Sequence, residues 1–124
     1  MCIRDRFCRL PPEDIIHENE FAIAIYDKFP VNRGHALIIP KRHEPSFFAI
    51  TSEERDALFV LLERAKEELD RMHKPDGYNI GINCGEAAGQ TIFHLHVHLI
   101  PRYGGDVEKP RGGVRNIKRP LVEY

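Results

Sequence analysis

The sequence predicts an α+β domain in which an antiparallel sheet meander carries one long amphipathic helix. Four segments have the composition of strands, one segment has helical periodicity, and a short loop without a helix joins the last two strands. A parallel crossover needs a dozen or more residues, whereas a short loop joins antiparallel neighbours. We therefore expect an antiparallel sheet with the helix packed on one face.

Two strands are predicted before the helix. The first is the apolar, β-rich segment 21–27, FAIAIYD, and the turn NRG follows it. The second is 35–43, HALIIPKRH, which Pro40 ends. Both segments are far too short and too interrupted to cross a bilayer.

The helix is predicted to begin after Thr51, which forms a capping box with Glu54. From there, apolar residues recur at the spacing of one helix face over about twenty residues. They are Leu58, Leu61, Leu62, Ala65, Leu69 and Met72. The sequence KPDG at 74–77 ends the helix.

Two further strands and a tail complete the chain. Residues 78–83 alternate as a strand, residues 84–90 form a glycine-flanked loop, and residues 91–101 form the longest strand. Residues 104–124 are rich in glycine and arginine and show little periodicity, so we expect an irregular C-terminal tail. The length of 124 residues predicts a single domain.

Composition indicates which partners and which location to expect for this chain. A net charge of −1 gives no general attraction to nucleic acid or to an anionic membrane, so we expect neither as a partner. The first twenty residues carry several charges and no long apolar run, which is not the pattern of a signal peptide. Cys2, Cys8 and Cys84 have no regular spacing, so we predict no disulfide framework and a cytoplasmic location.

Three of the seven histidines lie at alternate positions in the last strand: His94, His96 and His98. Side chains of a strand alternate between its faces, so these imidazoles should share one face, with roughly 7 Å between successive Cα atoms. The intervening side chains share the other face, which should pack on the core: Phe93, Leu95, Val97 and Leu99.

A histidine row admits three interpretations. It can be a solvent-facing strand surface, a zinc site built on two imidazoles of a His-x-His pair, or a catalytic site with a central nucleophile. The preceding loop favours catalysis. Gly85 and Gly89 allow close approach of backbone N–H groups to an anion, and Gln90 and Thr91 add donors, although a plain hairpin loop would also explain them. Phosphate beside a nucleophilic imidazole suggests phosphoryl or nucleotidyl transfer.

Two separated blocks of the chain resemble the histidine triad superfamily. One is GQTIFHLHVHLIPR, with His-x-His-x-His followed by apolar residues, and the other is YDKFPVNRGHALIIPKRH at 26–43. The resemblance covers roughly residues 7 to 103, and the tail GDVEKPRGGVR is similar to bacterial members related to the fragile histidine triad branch. The family resemblance implies that two chains join their sheets in a homodimer.

The resemblance also implies a nucleotide-binding enzyme that cleaves at the α-phosphate. His96 would be the nucleophile and form a covalent nucleotidyl-imidazole, and His98 would hydrogen-bond the phosphate and assist the leaving group. His94 and His35 would orient the site from behind. The substrate would be a dinucleoside polyphosphate or a nucleoside phosphoramidate; the alternative is a nucleotide-binding sensor module with slow hydrolysis.

Binding roles follow from the same resemblance. The phosphates would meet Gly89, Gln90 and Thr91. Asp27 would accept hydrogen bonds from the ribose hydroxyls, as an acceptor-only carboxylate can, and Asn83 would hold the sugar-phosphate side. The base would lie among three apolar side chains: Phe7, Leu10 and Ile25.

The N-terminus departs from the family pattern. Many relatives carry a Cys-x-x-Cys pair that binds zinc together with two histidines, but here Asp5 stands three residues before Cys8. Arg6 stands where an apolar wall of the base pocket is expected. We predict that residues 1–6, MCIRDR, are not native or are disordered. We also expect no required cofactor, no functional metal ligands and doubtful structural zinc, with magnesium arriving only as a complex of the substrate.

Overall fold

A five-stranded antiparallel sheet with one helix on one face forms the framework of the chain, as seen in a computed structural model that describes residues 5–118. The strands are β1 (Ile15–Glu18), β2 (Ala22–Tyr26), β3 (Ala36–Pro40), β4 (Gly77–Ile82) and β5 (Val97–Arg102), and the helix is α1 (Ser52–His73). The order in the sheet is β1-β2-β3-β5-β4. The predicted class, an antiparallel sheet carrying one long helix, is confirmed, and the sheet departs from chain order only where β5 lies between β3 and β4.

The helix begins and ends where the sequence predicts. Thr51 Oγ1 accepts a hydrogen bond from the Glu54 N–H at 3.1 Å, and the Thr51 N–H donates to Glu54 Oε1 at 2.9 Å. Both bonds of the capping box are therefore present. Lys74, in the left-handed region at φ 50°, ends the helix.

Apolar side chains form a separate cluster on each face of the sheet. The larger cluster lies between α1 and the sheet and contains Ala22, Ala24, Ala36, Ile38, Leu58, Leu61, Ala65, Leu69, Leu95, Val97 and Leu99. The smaller cluster lies on the other face and contains Phe7, Ile25, Leu37 and Ile39. The second face is the one that carries the histidines.

Two strand predictions were wrong. The sequence analysis missed β1, a four-residue edge strand whose pairing with β2 shifts register between Ile15 and His17, so it lacks a regular alternation. Residues 91–96 are not part of a strand, because loop contacts take their place: the Leu95 N–H donates to Glu44 O at 2.7 Å.

The alternation of side chains around the histidines is nevertheless preserved. Leu95, Val97 and Leu99 are buried in the larger cluster, as predicted. Phe93 is 46% exposed and does not pack on the core, because it lies in the loop before β5 and not in a strand.

No helix within residues 5–118 combines the length and apolar character needed to cross a membrane. The tail is irregular as far as residue 118, apart from a short 3-10 turn at Gly113–Arg115. The predictions for residues 1–4 and 119–124 lie outside the described residues.

Truncating Leu69 should destabilise the fold strongly. Leu69 is 0% exposed in the cluster between α1 and the sheet, and Leu→Ala in a core costs about 2–5 kcal/mol. We expect Leu69→Ala to lower the free energy of unfolding by that amount in chemical denaturation. Val60→Ala is the matched control on the same helix, since Val60 is 51% exposed, and an equal loss in both variants would contradict the assignment of the core.

Candidate active site

His96 occupies the centre of the candidate site with one ring nitrogen tied to the backbone. Its Nδ1 lies 2.8 Å from the carbonyl oxygen of His94, and a carbonyl only accepts, so Nδ1 carries the proton. In the neutral ring, Nε2 then has a free lone pair. The ring is 8% exposed and packs edge-on against Phe7, with ring centroids 5.1 Å apart. His96 therefore presents a nucleophilic nitrogen in a fixed orientation.

His98 and His35 form a second, coupled pair. The Val31 N–H donates to His35 Nδ1 at 3.1 Å, so the proton of neutral His35 is on Nε2. His35 Nε2 lies 2.9 Å from His98 Nδ1 and can donate to it. His98 Nδ1 is then an acceptor, and its proton is on Nε2. Ring centroids of His96 and His98 are 5.0 Å apart, so a donor stands beside the nucleophile.

Burial keeps these three imidazoles neutral. Desolvation, together with the neighbouring His96 and His35, lowers the pKa of His98 to about 4. Desolvation also lowers the pKa of His96 and of His35, although the Asp27 carboxylate opposes the shift at His35. A neutral imidazole has one nitrogen whose lone pair can attack phosphorus and one N–H that can donate a hydrogen bond.

His94 faces a group of side chains that could hold a metal ion. It is fully buried, and its Nε2 lies 2.8 Å from the Pro40 carbonyl oxygen, which fixes that nitrogen as the donor. The Nδ1 side meets Asp5, Cys8 and His43, whose donor atoms all lie within 4.8 Å of one another. Cys8 is disulfide-bonded in this structure, so these residues fit a metal only after reduction.

A second group of three donor atoms consists of Asp27, His35 and His98. Polar contacts among protein groups account for the short distances between these three donor atoms. Asp27 Oδ1 accepts from the Phe29 N–H at 3.0 Å, and Asp27 Oδ2 lies 3.5 Å from His35 Nε2. The Asp27 side chain is 10% exposed, at the edge of the histidine pair, so it is accessible to a ligand on one side only.

The loop before the histidines is braced by its own glutamine. Gln90 Nε2 donates to Pro45 O at 2.9 Å and to Ile92 O at 3.2 Å, and Gln90 Oε1 accepts from the Gly85 N–H at 2.9 Å. The Gln90 amide, which was predicted to contact phosphate, is thus hydrogen-bonded to protein groups. Gly89, at φ 93°, and Thr91 are exposed and remain open to a ligand.

Phe7 and Leu10, two of the three residues predicted to hold the base, line a cavity of about 640 Å³. Arg9, Ile23 and Lys41 also line it. Ile25 is 2% exposed and lies beneath Phe7 in the smaller apolar cluster. Sequence reasoning missed the two cations at this cavity, because Arg9 and Lys41 lie 32 positions apart in the chain and no local pattern brings them together.

A second cavity, of about 340 Å³, opens beside His98. His98 pairs with Leu37 of β3 and Gly81 of β4, so it lies in the middle of the sheet. Asn83 and His35 line this cavity together with residues of the tail, Gly113 and Val114. Of the site residues predicted from sequence, Phe7 and Leu10 therefore line one opening, and His35, Asn83 and His98 line the other.

The contacts that hold His35 were also missed. Asn32, Arg102, Tyr103 and Asp106 connect the turn before β3 to the end of β5. The available signal was the polar sequence Arg-Tyr-Gly-Gly-Asp directly after an apolar strand, which the sequence analysis assigned to the tail.

The chain is similar to a protein family and to proteins of several organisms. The family model described as HIT domain matches residues 10–105. An uncharacterized HIT-like protein of Mycoplasma genitalium is 43% identical over 88 residues, which are 71% of this chain and 62% of that protein. The bifunctional bis(5'-adenosyl)-triphosphatase/adenylylsulfatase FHIT of Arabidopsis thaliana is 30% identical over 82% of this chain, and the match spans 56% of its length.

Solved structures share the fold. The protein SMU.412c from Streptococcus mutans superimposes with a TM-score of 0.78 and 31% identity, covering 99% of this chain and 76% of that chain. The agreement extends over nearly the whole chain.

Proposed function

Since this chain belongs to the HIT domain family, we propose that it cleaves nucleotides at the α-phosphate through a covalent nucleotidyl-His96 intermediate. One observation carries the proposal. The 2.8 Å bond from His96 Nδ1 to the His94 carbonyl leaves Nε2 as the free nitrogen of a buried, neutral ring. Nucleophilic catalysis by imidazole requires that combination.

Two steps complete the reaction. His96 Nε2 attacks the α-phosphorus, an N–P bond forms, and the bond from phosphorus to the leaving-group oxygen or nitrogen breaks. The Nε2–H of His98 donates a hydrogen bond to the leaving group, which departs with the electron pair of the broken bond. Water then attacks the phosphorus, the N–P bond breaks, and the proton lost by water passes through solvent to the departed leaving group. Exposed loop groups at Gly89 and Thr91 stabilise the developing charge on phosphate.

The substrate class rests on the two cavities. The opening lined by Phe7 and Leu10 accepts the base, and Asp27 accepts from the ribose hydroxyls. The opening beside His98 accepts the leaving group. The Arabidopsis relative's name specifies bis(5'-adenosyl)-triphosphate and adenylyl sulfate, which supports a dinucleoside polyphosphate as the substrate here, with a nucleoside phosphoramidate as the second class to test.

A panel of nucleotides tests the function directly. Purified protein is incubated with dinucleoside polyphosphates and nucleoside phosphoramidates labelled with ³²P at the α-position, and both turnover and acid-labile protein label are measured. The proposal expects turnover and transient label with at least one class. Tight nucleotide binding without turnover or label would instead favour the sensor module.

We also propose that the sheet continues across a homodimer through β4. Among the described residues, the sheet has edges at β1 and β4. The β1 edge carries a register shift and the Lys41–Glu18 ion pair at 3.0 Å, both of which discourage pairing. The β4 edge pairs regularly over six residues and has Ile80 49% exposed. A regular, partly apolar edge is the one that favours addition of a strand.

Sedimentation velocity at micromolar concentration should therefore give twice the chain mass of 14.3 kDa. Ile80→Lys places a charge on the pairing edge and should shift the protein to monomer. Glu18→Lys on the β1 edge should leave the dimer intact. A monomeric wild type, or monomer formed equally by both variants, contradicts this assignment.

Zinc should be absent or substoichiometric, and turnover should not depend on a metal held by the protein. Asp5 is a weaker ligand than thiolate in such a site, and Cys8 is disulfide-bonded. Magnesium prefers sites with several oxygen ligands, whereas the group at His98 has one carboxylate, Asp27. Elemental analysis of the purified protein and turnover of a phosphoramidate after chelation measure this. One tightly bound equivalent of zinc, or activity lost to chelator with a metal-free substrate, would overturn it.

A further inference from the structure

The turn that carries His35 has almost no apolar anchor. It connects β2 to β3, and its two large apolar side chains, Phe29 and Val31, are 76% and 71% exposed. A turn without buried apolar contacts opens at low cost unless polar contacts hold it. The position of the Val31 N–H, which donates to His35 Nδ1 at 3.1 Å, therefore depends on those polar contacts.

The Asp106 carboxylate is the centre of these contacts. Its Oδ2 accepts from Asn32 Nδ2 at 2.7 Å, from Arg102 Nε at 2.8 Å and from the Tyr103 N–H at 3.0 Å. Its Oδ1 accepts from Arg102 Nη2 at 2.8 Å. The Asp106 side chain is 14% exposed, and hydrogen bonding to Arg102 holds its pKa far below the ordinary value. Asp106 is thus a permanent anion fixed at the end of β5.

Further bonds join the turn to the same segment. Asn32 Nδ2 also donates to the Pro101 carbonyl at 3.1 Å, and the Tyr103 hydroxyl donates to the Arg33 carbonyl at 2.7 Å. The Arg33 guanidinium lies 4.7 Å from the centroid of the Tyr103 ring. We call Asn32, Arg102, Tyr103 and Asp106 the β5 clamp.

We propose that Asp106 is a positioning residue that, through the β5 clamp, holds the Val31 N–H on His35 and so keeps on His98 Nε2 the proton that donates a hydrogen bond to the leaving group. The inference rests on the proposed role of His98. No hydrogen bond joins Asp106 to His35 or His98, and Asp106 acts through Asn32 and the turn.

The chemistry follows from the hydrogen-bond chain. With the Val31 N–H in place, His35 Nδ1 must accept, so Nε2 donates to His98 Nδ1, 2.9 Å away. If the turn relaxes, His35 can carry its proton on Nδ1, and its bare Nε2 then needs a donor. His98 supplies one only by moving its own proton to Nδ1, and Nε2 then has no N–H with which to hydrogen-bond the leaving group.

Two variants test whether the β5 clamp sets the histidine tautomers or only stabilises the fold. Asp106→Asn removes the charge and an acceptor, and Asn32→Ala removes the link to the turn while leaving the Arg102–Asp106 pair in place. Glu18→Gln is the matched control, because it removes a carboxylate from an ion pair of 3.0 Å at the opposite edge of the sheet. Two-bond ¹⁵N–¹H correlation spectra of the histidines report directly which ring nitrogen carries the proton.

We expect wild type and Glu18→Gln to show His35 and His98 protonated on Nε2. Asp106→Asn and Asn32→Ala should both show a new population protonated on Nδ1 at these rings. Both variants should lower kcat by about 10- to 10²-fold with little change in KM, since a displacement of about 1 Å can cost 10²-fold.

Unchanged histidine spectra in both clamp variants would overturn the proposal, whatever happens to kcat. An equal change in Glu18→Gln would overturn it as well. If wild type forms no nucleotidyl-histidine and turns over no nucleotide, the proposed function fails, while the spectra still decide whether the clamp sets the tautomers.

Discussion

His96→Asn should be almost inactive and should still bind nucleotide. Removal of a nucleophile that acts as part of a catalytic unit costs several orders of magnitude in kcat. Phe7, Leu10 and Asp27 remain, and asparagine is close to imidazole in size, so the affinity for nucleotide should change little. Single-turnover kinetics and equilibrium binding with the same substrate measure the two quantities separately.

Covalent labelling makes the assignment of His96 specific. Acid-labile label from an α-³²P substrate should appear on the wild-type protein and disappear in His96→Asn. His17→Asn is the matched control, because His17 lies in β1 and forms no part of the site. Persistent label in His96→Asn would show that another residue carries the nucleotidyl group.

His98→Asn should lower kcat by about 10²–10³-fold, as expected for loss of one hydrogen bond to developing charge, since the asparagine amide is too short to reach the place of Nε2. The loss should be largest for poor leaving groups and smallest for a nucleotide ester with a good leaving group, which needs little stabilisation. Label should still form on His96 in this variant. A loss that is independent of the leaving group would contradict the role of His98 as hydrogen-bond donor to that group.

The stability of His98→Asn should depend less on pH than the stability of the wild-type protein. Burial lowers the pKa of His98 from its ordinary value of 6.5 to about 4, so the unfolded chain binds this proton first as the pH falls. Above pH 6.5 this difference in proton binding does not change the free energy of unfolding. The wild-type protein loses stability as the pH falls from 6.5 towards 4. His35 and His96 act in the same direction, so His98→Asn should reduce this loss without abolishing it. Chemical denaturation at several pH values measures the difference.

Local patterns were sufficient for much of the fold. The capping box at Thr51 and the apolar spacing from Leu58 to Leu69 belong to single segments, and α1 follows them. The alternation through Leu95, Val97 and Leu99 likewise placed the histidines on the face away from α1. The edge strand β1 and the loop at 91–96 did not follow local patterns, because a register shift and contacts to Glu44 and Pro45 determine them.

Residue identity and the two-residue period of a strand were enough to predict which histidines form the candidate site and which face of the sheet carries them. The bond that sets the His96 tautomer is also local, because its acceptor is the carbonyl of His94 two residues earlier. The proton positions on His35 and His98 depend instead on long-range contacts. His35 meets His98 across 63 positions and Asn32 meets Asp106 across 74, so no local pattern records these bonds. His98 takes the tautomer that His35 permits, and the pairing of β3 with β5 brings the two together.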